Sequence, residues 1–358
     1  MNSTPSKRNY SSLNPCTLIL CSLLVFSNIL HSQSKQHIGL IGFYNLENLY
    51  DTIDQDFVQD EEFTPDGTRR YTGATYWDKL SKLEQVLSEL GTDHSPDGLA
   101  IIGVAEIENR SVLKDLCNQP KLKSRDYKIV HYDSKDARGV DVGLLYNPKY
   151  FKVMKSDKIF VDMSDLGEGK TRDILWVQGV FMGEIIHVMV GHWPSRRGGE
   201  EASMARRCRA AQVMRAKADS IYKENPLANI IVMGDLNDDP TSPSLVECLK
   251  ATGNQEEAKD GTFFNPFYSY FKNGIGTLAY NDSWNLFDQI VVSPSLLQKE
   301  NALKYDGGFI FSRSYMTQMD GQYKGYPFRT YNGDIYQGGY SDHFPTYIVF
   351  KKQVASQN

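Results

Sequence analysis

The sequence predicts an α/β fold in which strands of opposite direction share a sheet. Short apolar runs alternate along the chain with longer segments of helical spacing. Polar side chains directly follow some of these runs and directly precede others. If the two kinds of run lie antiparallel, all of these side chains meet at one rim, whereas an all-parallel sheet would divide them between two rims. We therefore expect mixed or antiparallel sheets.

The composition of the 358-residue chain is that of an ordinary globular protein, with 41% hydrophobic and 23% charged residues. Its N-terminus differs. Lys7 and Arg8 precede an apolar segment, residues 17–30, and small residues follow it. This order is typical of a cleaved secretory signal rather than an uncleaved anchor, and the segment is short for a membrane span. We expect a signal peptide over residues 1–34, no stable membrane span, and a secreted or periplasmic protein.

Charge and cysteine content restrict the function. The formal net charge of −5 becomes −7 when the predicted leader, with its two basic residues, is removed. A protein that coats polyanions is usually basic, so this chain must concentrate positive charge locally or use a metal. Cys117, Cys208 and Cys248 remain, and their spacing matches no zinc motif. They permit at most one disulfide, so the fold must depend on its hydrophobic core.

Strand composition is clearest in NIIVMGDLNDDP, where an apolar run over residues 230–233 ends abruptly at Gly234 and Asp235. Gly234 permits another group to approach the backbone closely. Similar runs predict further strands over residues 38–45, 99–105, 127–132, 141–146, 185–191, 288–293 and 346–350.

Helices are predicted between these strands. The first begins at a Thr75 cap, with Asp78 as its capping-box partner, and ends at Gly91. Further helices are expected from residue 111, over residues 203–222, and from residue 242, where Ser and Pro occupy cap and first-turn positions. Residues 253–283 give no clear assignment. The apolar face predicted for the first helix consists of Trp77, Leu80, Leu83, Leu87 and Leu90.

Eight polar residues occupy the ends of predicted strands, so the expected sheets bring them to one rim. One or two polar residues can cap the ends of strands by chance, but chance does not account for eight. Those that follow a strand are Asn45, Glu106, His192 and Asp235, and those that precede one are Asp141, Asp288, Asp342 and His343.

The carboxylates among them predict a site for a hard cation. Glu106, Asp235 and Asp342 offer oxygen ligands, and Asn45 and Asn237 can add amide oxygens. This set suits Mg²⁺ or Mn²⁺, with Ca²⁺ as a further candidate. Zinc could use the histidines, but the carboxylate majority and the absence of a Cys/His cluster in the sequence favour the harder ions.

The two histidines fit phosphoester hydrolysis. A metal and a donor His offset charge on the phosphate, while an Asp prepares the attacking water. A lone His is more often structural, but each one here has a candidate carboxylate to orient it. These are Asp141 for His192 and Asp288 for His343.

Seven motifs resemble those of the endonuclease/exonuclease/phosphatase superfamily, which contains pancreatic deoxyribonuclease, AP endonucleases, sphingomyelinases and inositol-polyphosphate 5-phosphatases. The resemblance is greatest to its secreted bacterial nuclease-like branch, and it implies one domain over residues 35–358. That domain would be a four-layered α/β sandwich, with two mixed, mainly antiparallel sheets face to face and helices outside. The motifs are FYNLEN, GVAEIEN, SKDARGVDVGLLYNP, GHWPSR, GDLNDDP, FDQIVVS and YSDHFP, in family order.

The resemblance also implies roles for individual residues. Asp235 would orient or deprotonate the water, with Asn237 beside it, and His343, paired with Asp288, would polarise the scissile phosphate. The second active-site His would be His192, with Asp141 behind it. The implied metal site consists of Asn45 and Glu106, and Asp342 would add to the metal site or to the groups that orient the site residues.

Two departures from the family pattern bear on substrate and site. The Tyr that many AP-endonuclease-like members carry in the centre of the site has no clear counterpart here, which argues against abasic-site repair. Glu47 stands where Gln is commoner in the family. It is interpreted either as an extra metal ligand or as a simple charge at the end of the strand, and the second interpretation is favoured.

Arginines outside the expected metal site are candidates for binding phosphate, because a guanidinium fork matches phosphate oxygens. Arg138, Arg196 and Arg197 are predicted to contact the substrate. A second group, on the helix predicted over residues 203–222, is interpreted instead as a solvated face: Arg206, Arg207 and Arg209.

The leading hypothesis is an exported, monomeric, metal-dependent phosphodiesterase, most simply a nuclease or endonuclease acting on nucleic acid. One alternative is a phosphatase or phosphodiesterase for phospholipid or inositol phosphate headgroups. An exposed hydrophobic hairpin would favour it, and residues 263–271 are the candidate, with core packing as the alternative. The other alternative is a non-catalytic binding protein on the same scaffold.

Overall fold

The computed structural model describes residues 36–167, 170–298 and 302–353, so the predicted signal peptide lies outside the described residues. The α-helices are α1 (Gly73–Glu89), α2 (Arg110–Cys117), α3 (Pro120–Lys123), α4 (Glu200–Glu224) and α5 (Tyr268–Lys272). Short 3₁₀ turns occur at Glu61–Phe63, Ser164–Leu166, Pro294–Leu297 and Ser314–Met316, and a π-helix spans Ser244–Leu249. The strands are β1 (Gln36–Leu49), β2 (Ile101–Ile107), β3 (Lys128–His131), β4 (Asp141–Tyr146), β5 (Phe151–Ile159), β6 (Ile174–Phe181), β7 (Glu184–His192), β8 (Asn229–Asp235), β9 (Ala251–Thr252), β10 (Phe263–Phe264), β11 (Leu278–Tyr280), β12 (Ser283–Asn285), β13 (Asp288–Val292), β14 (Leu303–Ile310), β15 (Tyr331–Asn332), β16 (Ile335–Tyr336) and β17 (Thr346–Gln353).

Two large mixed sheets form the centre of the molecule. The first has six strands in the order β14-β17-β1-β2-β4-β3, and the second has seven in the order β5-β6-β7-β8-β13-β10-β9. Neighbours in the first sheet are antiparallel except β1 with β2. In the second sheet, β7 with β8 and β9 with β10 are the parallel pairs. The predicted mixed, mainly antiparallel sheets are confirmed.

Successive side chains of the central strands point to opposite faces of their sheet, and this gives the fold four layers. Ile41 of β1 and Ile231 of β8 belong to the core between the two sheets. Leu40, on the other face of β1, packs in a second core with α1. Val232, on the other face of β8, packs in a third core with α4. The order is therefore helix, sheet, sheet, helix, as the family resemblance implied.

Helix α1 departs from its predicted start and buried face. Its cap is Thr72, whose side-chain oxygen accepts from the Thr75 amide at 3.4 Å, so the cap predicted at Thr75 is wrong. Trp77 is 51% exposed, because the buried stripe passes beside it through Tyr76 and Leu80. Lys79 lies in that stripe and is fully buried.

Strands β5 and β6 were not among those predicted from the sequence. β5 carries three lysines and is mostly exposed beyond its first residue, as expected for a strand at the edge of a sheet, so its apolar run is too weak to stand out. β6 pairs with it and joins it to the buried β7. The sequence of β6, ILWVQGVF, is apolar and mostly buried, so it carried a strand signal that the prediction missed.

A disulfide joins α4 to the π-helix that follows β8. Cys208 and Cys248 form it, with their Cα atoms 5.5 Å apart, and Cys117 is a buried thiol. The one bridge that the cysteine count permitted is therefore present. Within the described ranges, every helix is too short or too polar to cross a membrane.

Candidate active site

Four of the predicted residues meet at one end of the inter-sheet core. His192 closes β7 and pairs in register with Asp235 at the end of β8. Asp288, at the start of β13, is also opposite Asp235. Asn45, His192, Asp235 and Asp288 each continue the alternation of the inward-facing residues of their strands, so their side chains turn into the space between the sheets. All four are buried.

Glu106 reaches the same space through a β-bulge. Strict alternation along β2 would turn it to the helix side, together with Val104. The register between β2 and β4 instead shifts between Ala105 and Ile107, and Glu106 adopts φ +57°. Bulges of this kind redirect one side chain at the rim of a sheet.

Asp235 is the centre of the polar contacts. Its Oδ2 accepts from Asn45 Nδ2 at 3.0 Å, and its Oδ1 accepts from the Asn237 backbone amide at 3.1 Å. Asn237 has φ +50°, and its side-chain amide donates to the Trp193 carbonyl at 2.9 Å. Both carboxylate oxygens are thereby fixed in direction. Asn237 supports Asp235 from its backbone while its side chain braces the loop.

Three residues fit a divalent cation. Ligand atoms of Glu106, His192 and Asp235 all lie within 4.8 Å of one another. His192 Nε2 is 3.7 Å from Glu106 Oε1 and 3.6 Å from Asp235 Oδ2, too far for hydrogen bonds. Burial raises the pKa of Asp235 to about 7, with Asp288 and Glu106 adding repulsion and His343 opposing it. Crowded buried carboxylates of this kind are what a cation neutralises, so the donor set suits one.

The predicted metal trio is only partly reproduced by this cluster. Glu106 belongs to it, whereas Asn45 borders it: its Oδ1 accepts from the Glu47 amide at 2.8 Å and its Nδ2 donates to Asp235. Asp342 lies farther out, where its Oδ2 accepts from Arg329 at 2.8 Å. Asp342 Oδ1 is 3.9 Å from His343 Nε2, so it borders the site on the side of that histidine.

His343 and Asp288 form the predicted pair, with Nδ1 and Oδ2 2.7 Å apart. Burial alone would lower the pKa of His343, but Asp288, Asp235 and Asp342 together raise it well above its ordinary value. The ring is therefore a cation that gives Nδ1–H to Asp288. Its Nε2–H points into the site, 4.0 Å from Asp235 Oδ2.

His192 has the opposite character. Burial, together with Arg172 and Arg138, holds its pKa well below the ordinary value, so the imidazole is neutral. Arg172 is itself buried and donates to the carbonyls of His192 and Trp193 at 3.2 and 2.6 Å. The site thus combines one cationic and one neutral histidine. Surroundings that move two pKa values apart in this way allow one fold to supply both acid and base groups.

Asp141 does not orient His192, and that prediction is wrong. Val142 and Leu144 face the inter-sheet core, so Asp141 turns to the opposite face of β4. There its Oδ2 lies 3.1 Å from His131 Nε2, and its Oδ1 accepts from the Ser134 amide at 2.8 Å. Asp141 therefore lies at the same rim as His192, but on the face of the sheet that points away from the inter-sheet core.

Glu47 is buried, not an exposed charge at the end of the strand. Its Oε2 accepts from the Thr330 amide at 2.7 Å, and Lys79 Nζ donates to Thr330 Oγ1 at 2.7 Å. Burial, followed by repulsion from Asp342, raises the pKa of Glu47 to about 7. This network secures the segment that carries Arg329, and through Arg329 it positions Asp342.

The predicted phosphate-binding arginines differ from one another in their surroundings. Arg196 is held by acids, with Nη2 2.9 Å from Asp239 Oδ2, and its guanidinium lies 4.6 Å from the centre of the Phe287 ring. Arg197 is exposed beside it. Arg138 has a half-exposed side chain and bonds Asp136. Arg197 and Arg138 therefore remain candidates for substrate contact. Arg196 braces residues 236–239, the loop that follows β8, which we call the catalytic loop.

The solvated helix face predicted for the α4 arginines is wrong at Arg207. This residue is fully buried, and its Nε lies 2.7 Å from Asp238 Oδ2. Asp238 follows Asn237, so the ion pair fixes the catalytic loop to α4. Arg209 is nearer the prediction, since it pairs at the surface with Asp165 at 2.7 Å.

Single substitutions should separate the two neighbouring arginines. We expect Arg196→Ala to lower the free energy of unfolding by about 1–3 kcal/mol, because it leaves Asp239 without its cation and Asp238 with Arg207 alone. Arg197→Ala should change that free energy by less than about 0.5 kcal/mol and raise KM. Urea denaturation and steady-state kinetics measure both effects, and an unchanged KM for Arg197→Ala would remove it from substrate binding.

Sequence reasoning missed several supporting residues. Ser341 donates from Oγ to the Asn45 carbonyl at 2.8 Å and accepts from the His343 amide at 3.1 Å, so it links two site segments. Arg172 and Lys79 are buried cations that hold segments next to the site. Arg172 donates to the carbonyls of His192 and Trp193, and Lys79 donates to Thr330. Lys79 carried a usable signal, since it falls between Tyr76 and Leu80 on the apolar stripe of α1.

Comparisons with known proteins identify the family and the fold. The model of the Endonuclease/Exonuclease/phosphatase family matches residues 40–352. An endonuclease/exonuclease/phosphatase family protein from Bacteroides thetaiotaomicron is 14% identical, with 90% of this chain and 100% of that chain covered and a TM-score of 0.54. A mannosyl-6-phosphatase from the same organism is 15% identical, with coverage of 87% and 99% and a TM-score of 0.53. TDP2 of D. rerio is 16% identical, with coverage of 87% and 98% and a TM-score of 0.52. No curated protein matches the chain.

Proposed function

The chain belongs to the endonuclease/exonuclease/phosphatase family, and from that premise we propose that it is an exported, Mg²⁺- or Mn²⁺-dependent hydrolase of phosphodiesters in nucleic acid. Its fold is that of a phosphoester hydrolase, and the family uses divalent metals. One observation carries the assignment. Asp235 and the cationic His343 face each other across 4.0 Å, beside the metal-suited cluster of Glu106, His192 and Asp235.

The side chains define a simple sequence of events. A phosphate oxygen accepts a hydrogen bond from His343 Nε2–H, and Asp288 holds that ring cationic through Nδ1. Asp235, fixed by Asn45 and Asn237, orients a water toward the phosphorus and takes its proton. As the water oxygen bonds to phosphorus, the ester P–O bond on the opposite side breaks, and the leaving oxygen takes a proton from solvent and departs as an alcohol. Glu106, His192 and Asp235 would hold a divalent cation, which when bound would supply Lewis-acid stabilisation of charge on the phosphate. The fixed dipoles need no rearrangement during the reaction.

Nucleic acid is the first candidate substrate. Support comes from the structure of TDP2 in complex with a single-strand DNA product, which shares this fold. The acidic net charge gives no long-range attraction for a polyanion, so binding rests on few phosphate contacts near the site. Few contacts predict low sequence specificity and a shallow salt dependence.

The lipid alternative loses its structural basis. An exposed hydrophobic hairpin would have favoured it, and residues 263–271 were the candidate. Phe263 and Phe267 are fully buried and Phe264 is 6% exposed, so the segment belongs to the cores. The binding-protein alternative is opposed by the assembly of the acid, base and cation-binding groups at one rim.

Export is supported by the disulfide. Bonds of this kind persist in oxidising compartments and are rare in the cytosol of most organisms. We expect the leader to be removed close to Ser34. Intact-mass spectrometry of the exported protein checks this, and it should also show one disulfide. Retention of Met1 on that protein would contradict the prediction.

Purified mature protein assayed with Mg²⁺ or Mn²⁺ tests the function. The substrates are plasmid DNA, single-stranded DNA, RNA, bis(4-nitrophenyl) phosphate and lipid or inositol phosphate esters. We expect cleavage of a nucleic acid and of the chromogenic diester. Rapid hydrolysis of the lipid or inositol esters, with nucleic acids left intact, would overturn the nucleic acid assignment but leave the family assignment standing.

A further inference from the structure

A pocket of about 950 Å³ opens directly beside the catalytic centre. We call it the side pocket. One wall is the β11–β12 hairpin and another is the segment 318–337, and Asp342 and Phe287 border it where it meets the site. Asp342 Oδ1 is 3.9 Å from His343 Nε2, so the side pocket adjoins the site on the side of that histidine. The volume is within the range of about 300–1,000 Å³ usual for small-molecule sites.

The two walls are joined to each other. The hairpin turns through Asn281 and Asp282, both with positive φ (+47° and +58°), as a two-residue turn of the favoured kind requires. Tyr326, on the opposite wall, donates from its hydroxyl to Asp282 Oδ1 at 2.7 Å and accepts from the Asp282 amide at 2.8 Å. Trp284 stacks on Phe344, next to His343. The two walls of the side pocket are therefore held together by direct side-chain contacts.

Its lining combines aromatic faces with side-chain amides. Tyr280 and Tyr323 are 69% and 42% exposed, which leaves their rings accessible. Gln318 and Asn332 lie on the same lining. An amide both donates and accepts hydrogen bonds, as a sugar hydroxyl does, and a tyrosine ring offers an apolar face to a sugar or a base.

Charge restricts the occupant further. Three cations line the side pocket, Arg196, Arg197 and Arg329. Two of them are paired with carboxylates of the protein: Arg196 with Asp239, and Arg329 with Asp342. A groove that tracks a long nucleic acid carries positive charge along its length. In this lining two of the three cations are neutralised by carboxylates, and the aromatic and amide side chains named above are uncharged.

From this arrangement we propose that the side pocket is the specificity site of the enzyme and binds one phosphorylated sugar ring. The ring is either a free sugar phosphate ester or the terminal nucleotide of a chain. The proposal rests on the proposed function, because it places the ester phosphorus between His343 and Asp235. A side pocket of this kind makes the enzyme selective for the ends of nucleic acid chains and for small phosphate esters. It excludes cleavage in the interior of a duplex.

Three diesters with the same 4-nitrophenolate leaving group test the proposal. The other substituent on phosphorus is a second nitrophenyl group, the 5′-position of a nucleoside, or the 6-position of a hexose. We expect kcat/KM for a sugar-bearing diester to exceed that for the bis-aryl diester by about tenfold or more, the size of one aromatic stacking contact. The nucleoside and hexose arms distinguish the two sources of the sugar.

Variants locate the selectivity in the side pocket. Tyr280→Ala and Tyr323→Ala should each lower the ratio of sugar-bearing to bis-aryl kcat/KM by about fivefold to tenfold. Ile185→Ala is the matched control, an exposed apolar residue at the end of β7 opposite His192, and should leave the ratio unchanged. Equal kcat/KM for all three diesters, an unchanged ratio in both Tyr variants, or internal nicking of a closed circular plasmid would overturn this proposal alone. Failure to cleave any diester would overturn the proposed function with it.

Discussion

Asp235→Asn is expected to lower kcat by about 10²-fold or more, the loss typical of a positioned acid–base group. The substitution keeps the shape of the side chain but removes its ability to take a proton from water. One amide oxygen replaces two carboxylate oxygens, so either Asn45 or the Asn237 amide loses its acceptor. Removal of a buried negative charge offsets that loss. We therefore expect a folded protein with little activity.

Single-turnover kinetics and thermal denaturation measure the two effects separately. Asp306→Asn provides the control, because Asp306 is a half-exposed carboxylate paired with Lys351 at 2.8 Å, away from the site. Its kcat should match that of the wild type. If Asp235→Asn retained a rate near that of the wild type on homogeneous protein, Asp235 would not be the base.

The position of Asp235 was predictable because two independent rules converge on it. An apolar run that ends at Gly-Asp places the carboxylate at a rim, and alternation with Ile231 and Met233 places it between the sheets. The same alternation, applied to Asp141, would have shown that it faces away from His192. Strand ends alone predict the rim, whereas the face also requires knowledge of which neighbours are buried.

Other features of the site depend on contacts between distant segments. The bulge at Glu106 is defined by its register with β4, which no local pattern contains. Arg196 and Arg207 resemble surface cations in sequence, but the acidic loop after Asn237 surrounds them. Lys79 and Thr330 meet across 251 positions of the chain. Arginine and lysine roles were therefore the least predictable, because burial and partners determine them.

The side pocket was also beyond sequence analysis. The stretch around it is rich in Tyr, Gly and amide residues and lacks the periodicity that marks a strand or helix. Its shape comes from the short hairpin β11–β12 and from the bond of Tyr326 to Asp282. Two-residue turns are recognisable in sequence when Asn or Asp precedes Gly, and Asn281-Asp282 lacks that Gly.

Removal of divalent metal is expected to abolish activity completely, and added Mg²⁺ or Mn²⁺ should restore it. Glu106, His192 and Asp235 place three ligand atoms within 4.8 Å of one another, and two of these residues are carboxylates. Without a cation, two negative charges would approach a negative phosphate, and their repulsion would oppose binding. A bound cation reverses the sign of that interaction and also stabilises charge that develops on the phosphate.

Thermal denaturation gives a readout that is independent of turnover. A ligand that binds only the folded state adds about 2.7 kcal/mol of stability at one hundred times its dissociation constant, so Mg²⁺ should raise Tm by several degrees. Glu106→Gln should lose that shift because it removes a charged ligand. Asp306→Asn should retain it, since Asp306 lies outside the cluster. Full activity after exhaustive EDTA treatment, or an equal Mg²⁺-dependent shift in Glu106→Gln, would show that this cluster does not hold the catalytic metal.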